Sequence, residues 1–212
     1  AFAISLAVLF ISNLGGHSNS MKLLLAGMAL SAVCGAFSSF IVYFANNKEG
    51  MQTIAYWMMG SLAGAKWGEL AIIAPIIMAS VIFFWTQSRV LNLMLLGDES
   101  AITMGTDLHV YRQWYLLISS LIVGFAVYAA GMIGFVGLII PHVIRMFTGP
   151  DHKRLIPVAA LTGAVFLVIC DGLCRIIIPH TELPIGILIS MIGAPGFIYL
   201  MIKKTYGFGG ND

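Results

Sequence analysis

Four stretches of this chain run the thickness of a membrane without one Asp, Glu, Lys or Arg: residues 23–47, 70–88, 113–144 and 183–202. A helix needs about 18–20 consecutive, mostly apolar residues to cross a bilayer's hydrocarbon core. Helices on the surface of a water-soluble domain keep a polar face instead. Hydrophobic residues make up 59% of the chain and charged residues only 9%, against roughly 25% charge in an average soluble domain. Too few charges remain to cover a water-facing surface. The pattern excludes a soluble enzyme, a nucleic-acid binder and a disordered tail. It predicts an all-α, polytopic transmembrane helical bundle, with residues 1–212 forming one domain.

Read along its length, the chain starts inside an apolar run, residues 1–11, too short to span alone and without an initiator Met or a basic n-region. That run reads as the second half of a helix, so the expectation is a C-terminal part of a longer protein with its N-terminal spans missing. A polar turn at 12–19 leads to a span over 22–45, roughly 36 Å long at the helical rise. A loop at 46–50 precedes a shorter apolar piece, 51–62, read as re-entrant or interfacial. A loop at 64–69 opens the span 70–88. Segment 92–112, with Asp98, Glu99, Asp107, His109 and Arg112, is the longest polar stretch and predicts one or two short helices outside the bilayer. Residues 113–144 exceed one span and contain Gly131, Gly134 and Gly137, which splits them into two spans turning near 130–133. A basic loop at 145–154 carries the turn dipeptide Gly149-Pro150. Then come a span over 155–175, a Pro-bounded loop at 176–184 and a last span over 185–202.

Orientation follows from the basic residues. If segment 92–112 is cytoplasmic, Lys22, Arg89, Arg112, Arg145, Lys153, Arg154, Lys203 and Lys204 lie inside, and Lys48, Lys66 and Arg175 outside. That assignment satisfies the positive-inside rule and its opposite violates it. It places the C-terminus in the cytoplasm.

The residues offer little catalytic chemistry. No G-x-x-x-x-G-K-[ST] pattern is present, so ATP is not bound by that route. Cys34, Cys170 and Cys174 do not make a disulfide framework and read as small apolar packing residues; no metal site is assigned. Asp171 and Arg175, at i and i+4, read first as a local ion pair near a membrane boundary. Small residues Gly27, Ser31, Cys34, Gly35 and Ser38 on the span 22–45 suit close helix packing, or a polar-tolerant wall beside a pathway. Tyr56-Trp57-Met58-Met59-Gly60 and Trp67 suit an interfacial anchor, or a gate or ligand contact. Leu96-Gly97-Asp98-Glu99-Ser100-Ala101-Ile102-Thr103-Met104-Gly105 reads as a short amphipathic helix with acidic residues at its start and a glycine stop. Such an element between two spans is either a solvated loop or a handle for a soluble motor.

Glu99-Ser100-Ala101 followed by Gly105 resembles the coupling motif of ABC importer permeases. Gly134-Phe135-Val136-Gly137 through Pro141-His142, Gly149-Pro150-Asp151-His152-Lys153-Arg154, Glu182-Leu183-Pro184-Ile185-Gly186 and Ile192-Gly193-Ala194-Pro195-Gly196-Phe197 resemble signatures of one subfamily. That subfamily is the FecCD/BtuC-type permeases, importers of ferric siderophores, haem and cobalamin, and the resemblance runs along essentially the whole chain. It implies a type II importer permease fold of about ten spans, so that roughly the first third is absent here. It further implies a bacterial inner-membrane protein paired with a second copy or a paralogous permease. A periplasmic or lipoprotein binding protein would feed it, and two cytoplasmic ATPase subunits would drive it. The resemblance implies no cofactor bound by this chain, with ATP and Mg²⁺ on the ATPase. Carried over residue by residue, the resemblance assigns Leu96, Gly97, Glu99, Ser100, Ala101 and Gly105 to motor coupling. Ser31, Gly35 and Ser38 go to the translocation pathway, and Arg175 to docking of the binding protein. Within the family, iron chelates or haem are the favoured cargo and cobalamin the alternative. A reading from another class is an ion-coupled secondary transporter using the Asp171/Arg175 pair; an intramembrane enzyme would need a nucleophile–base or metal constellation.

Overall fold

The computed structural model describes residues 2–13, 20–44, 48–106, 108–177 and 183–203. Among them the chain forms helices α1 (Phe2–Asn13), α2 (Ser20–Phe44), α3 (Lys48–Met59), α4 (Trp67–Thr86), α5 (Ser88–Leu95), α6 (Asp98–Thr103), α7 (Leu108–Ala130), α8 (Val136–Thr148), α9 (His152–Ile177) and α10 (Ile185–Lys203), with no strand among the described residues. By length and composition, Met21–Phe44, Trp67–Thr86, Leu108–Ala130 and His152–Ile177 can each cross a membrane, and Val136–Thr148 and Ile185–Leu200 are shorter apolar helices. The apolar runs become helices because a spanning backbone must satisfy its own hydrogen bonds.

The packing is organised around α9, which touches α4, α5, α8 and α10. Its Cys170 and Cys174 are buried against Ile185 and Ile189 of α10, with Phe135, Val136 and Phe166 closing around them. Nearer the start of α9, Leu155 packs on Ile140 and Ile144 of α8. The two α9 cysteines are therefore core residues, as expected of small apolar side chains. α2 lies against α1, and α1 also reaches α7. Most of α2's apolar side chains are exposed in the single chain, as suits a surface that meets lipid or another subunit.

Several boundaries depart from the sequence pattern. Residues 113–144 do not form two full spans: α7 starts earlier, at Leu108, and α8 has 13 residues, only about 20 Å of helix. Gly131 at φ +70° and Phe135 at φ +63° leave helical geometry, and the chain between them becomes a crossing loop. The expected basic loop 145–154 shrinks to 149–151, because Arg145 is helical in α8 and α9 begins at His152. Gly149, at φ +80° and with its N–H on the Arg145 carbonyl at 3.1 Å, makes that short reversal in the conformation glycine tolerates. α3 begins at Lys48 inside the expected 46–50 loop, and α9 continues through Ile177. Glu182 and Lys204 lie outside the described residues.

Candidate functional site

The polar segment between α4 and α7 folds into a compact element. α5 ends at Leu95, Leu96 follows, and Gly97 at φ +90° turns the chain into the six-residue α6, opened by Asp98 and Glu99. Gly105, at φ +77°, turns it out again. The helix expected over 96–105 is thus confined to 98–103, and Gly97 and Gly105 act as its two corners. Ala101 is fully buried. Its N–H bonds to the Gly97 carbonyl at 3.2 Å and its carbonyl accepts the Thr106 N–H at 3.0 Å. Both bonds close within 97–106, so Ala101 sits inside the element and is not part of its outward surface. The outward surface belongs to Leu95, Leu96, Ile102 and Met104, which are 47%, 60%, 67% and 56% exposed. Ile102 and Met104 are exposed apolar residues that the motif did not single out.

This element is tied to the rest of the chain by side chains. Asn92 on α5 donates from Nδ2 to Asp151 Oδ1 at 2.8 Å. Its Oδ1 accepts the His152 backbone N–H at 2.9 Å and pairs with His152 Nδ1 at 2.7 Å. An amide oxygen carries no proton, so His152 Nδ1 must donate, and the orientation of the Asn92 amide is fixed by the two groups it serves. Asp151 Oδ1 also accepts the Lys153 N–H at 3.0 Å, capping the first turn of α9. The Asn92 amide and the Lys153 N–H together hold the Asp151 carboxyl below its usual range.

A second tie has its cause in a proline. Pro157 lies inside α9 and has no N–H for the carbonyl four residues back, that of Lys153. The Trp85 indole Nε1 at the end of α4 fills the vacancy, donating to the Lys153 carbonyl at 3.0 Å. Tyr115 of α7 adds a third tie, its hydroxyl donating to Gln87 Oε1 at 3.1 Å, with its ring 5.6 Å from that of Phe84. Trp85, Arg89, Asn92 and Asp151 line an open cleft of about 480 Å³ here.

The opposite end is joined by backbone. The Trp57 carbonyl at the end of α3 accepts the Gly60 and Met132 N–H groups, each at 3.3 Å, and Ser61 N–H bonds to the Ala130 carbonyl at 2.9 Å. A Cβ on Gly131 would collide with the Trp57 carbonyl, and one on Gly186 with the Met59 carbonyl. Three chain segments cross here at a separation only glycine permits. The expected re-entrant piece is thus a 12-residue helix ending in this crossing. Met58, Met59, Met132 and Met191 line a cleft of about 380 Å³ beside it, a soft and adaptable apolar wall.

Of the remaining sequence-derived candidates, Ser31, Gly35 and Ser38 are exposed on α2, and a Cβ on Gly35 would meet nothing within 4 Å. Ser38 Oγ donates to its own helix, to the Cys34 carbonyl at 2.9 Å. Arg175 lies at the far end of α9 from Asn92, half-exposed, with Nε 2.9 Å from Asp171 Oδ2. The local ion pair read from their spacing is present. The structure brings Leu96, Gly97, Glu99, Ser100, Ala101 and Gly105 together in one element, while Arg175 and the α2 residues lie apart from it.

A family model described as the FecCD transport family matches residues 1–203. The hemin transport system permease protein HmuU of Yersinia pestis is 39% identical over 96% of this chain and 62% of its own length. The cobalamin import system permease protein BtuC of Halobacterium salinarum is 39% identical over 95% of this chain and 54% of its own. A solved structure described as an inward-facing conformation of a metal-chelate type ABC transporter superposes with a TM-score of 0.84. It is 32% identical, covering 96% of this chain and 63% of that one. The chain spans between about half and two thirds of the length of these relatives.

Proposed function

The chain belongs to the FecCD transport family, and on that premise we propose that it is the membrane-spanning permease part of an ATP-driven importer. Its cargo in this reading is a ferric siderophore, another iron chelate or haem. Two copies, or this chain and a paralogous permease, enclose the pathway in the bacterial inner membrane. Two cytoplasmic ATPase subunits bind ATP and Mg²⁺, and a binding protein delivers cargo on the other side. The chain itself is a transport subunit and performs no hydrolysis.

One observation carries this reading: a six-residue helix, too short to be stable alone, buries Ala101 and, with the residues before and after it, leaves Leu95, Leu96, Ile102 and Met104 exposed. An apolar row on an element between two spans needs a partner surface. A soluble motor supplies one. ATP binding there can reach the spans through this contact, and the chain has no nucleotide motif of its own. Arg175, half-exposed at the opposite end, suits a carboxylate of the binding protein, and the exposed Ser31, Gly35 and Ser38 suit the wall of the pathway. With these ends assigned, the positive-inside pattern puts the C-terminus in the cytoplasm.

Cobalamin is the second reading, favoured by the similarity to a cobalamin permease. The test is uptake into proteoliposomes holding a permease that contains this chain, its ATPase and its binding protein. Ferric siderophore, haem and cobalamin are compared with and without ATP. ATP-dependent uptake of an iron chelate or haem is the expected result. Uptake that ignores ATP and follows an ion gradient would return the Asp171/Arg175 pair to an ion path and refute the importer reading.

A further inference from the structure

We propose that the Asn92 amide is the joint through which displacement of the α5–α6 element reaches α9, and that Trp85 is its second fastening. The inference rests on the reading that α5–α6 seats a motor. Nothing in the family motif marks Asn92, and the argument is geometric.

α9 both receives this element and reaches the other end of the bundle, and among the described helices that α5 touches it is the one whose start holds both partners of the Asn92 amide. Its 26 residues span about 39 Å, from Asp151 and His152 at the α5 contact to Arg175. Along the way its side chains form the buried core with α8 and α10. A push on α5 therefore acts on the start of a stiff rod whose far end carries the proposed docking arginine. The contact that delivers the push is specific. The Asn92 amide presents an acceptor to two His152 donors and a donor to Asp151, an arrangement only an amide can satisfy. Side-chain bonds of this kind hold two elements in register yet can be remade after a shift, unlike a backbone crossing. Coupling between two sites is reciprocal, so docking at the Arg175 end must also be felt by the motor through the same joint. Intermediate position alone does not establish such a route, and the test must measure coupling.

Asn92→Asp keeps an acceptor for His152 but sets a second carboxylate against Asp151 in place of a donor. Exchanging the partners, Asn92→Asp with Asp151→Asn, restores one donor and one acceptor. The experiment uses the permease reconstituted with its ATPase and binding protein. It measures ATP hydrolysis with and without the binding protein, alongside melting temperature. The unaltered complex shows stimulation by the binding protein. Asn92→Asp loses about tenfold of that stimulation while hydrolysis itself continues, and the exchanged pair recovers most of it, as expected for interacting groups. Trp85→Phe, which removes only the indole N–H and keeps the ring, gives a smaller loss in the same direction and serves if Asn92→Asp does not fold. Full stimulation in a folded Asn92→Asp complex overturns the joint, as does an exchanged pair that recovers nothing. If Trp85→Phe has to serve, full stimulation there overturns it too. No stimulation in the unaltered complex overturns the importer reading, and the inference with it.

Discussion

The end of the bundle that carries Asn92 and the end that carries Gly131 both join helices distant in sequence, and they do so by opposite means. At the first, polar side chains reach across: Asn92 to Asp151 and His152, Trp85 to the Lys153 carbonyl, Tyr115 to Gln87. At the second, the backbones of 57–61, 130–132 and 186 approach one another, with room for no Cβ at Gly131 or Gly186. A side-chain tie can stretch, break and re-form during a conformational change. A glycine crossing fails if its segments come any closer, and it holds only one arrangement. The difference teaches where movement can enter this molecule: at the α5–α6 end, with the glycine crossing as the frame it works against.

The contrast can be broken most severely at the crossing. Gly131→Val adds a β-branched side chain at φ +70° facing a backbone carbonyl, and the expected destabilisation is more than about 3 kcal/mol, read as loss of folded protein in detergent. At the other end, Asn92→Ala takes the shared acceptor from His152 and one of two donors from Asp151, which keeps the Lys153 N–H. A loss of about 2 kcal/mol is expected, seen as a lowered melting temperature in a protein that still folds. Trp85→Phe leaves the Lys153 carbonyl to water and costs about 0.5 kcal/mol, since the indole is nearly half exposed. If Trp85→Phe proves as damaging as Gly131→Val, the two ends do not differ as argued.

The smallest effect concerns pH. The Asp151 carboxyl is held below its ordinary value of 3.8, chiefly by the Asn92 hydrogen bond and then by the Lys153 N–H. A depressed carboxylate contributes stability that is complete above the unfolded value and disappears as pH falls through the folded one. The melting-temperature gap between the unaltered protein and Asp151→Ala should therefore be flat from about pH 8 to 5 and close only under stronger acid. A gap that shrinks already near neutrality would mean that another group controls this tie.

Much of this architecture is legible in the sequence, because a charge-free run of a span's length has few ways to fold. α2, α4, α7 and α10 follow from that constraint, α9 from the apolar run after the Gly149-Pro150 turn, and the short helix at 98–103 from the acidic start and the glycine stop. The second half of 113–144 is where the reading fails. Three glycines mark a break there, but the pattern does not show that Gly131 spends its freedom on the Trp57 carbonyl, or that Phe135 takes φ +63°. Ala101 belongs to the coupling motif by resemblance, yet its burial turns it inward, and Ile102 and Met104 face outward. Asn92 was invisible, since one amide in a polar segment does not reveal a partner some sixty residues away. Pro157 did carry a signal, an orphaned carbonyl at Lys153. What it could not give was the identity of the donor, which depends on the packing of α4 beside α9.

The central claim is that the α5–α6 element is where the motor holds this chain. The direct measurement places a photo-cross-linking amino acid at Ile102, and separately at Tyr128 near the other end of α7, in a complex shown to transport. Capture of the ATPase subunit from Ile102 and none from Tyr128 is the predicted result. A transporting complex in which Ile102 never captures the ATPase would contradict the account.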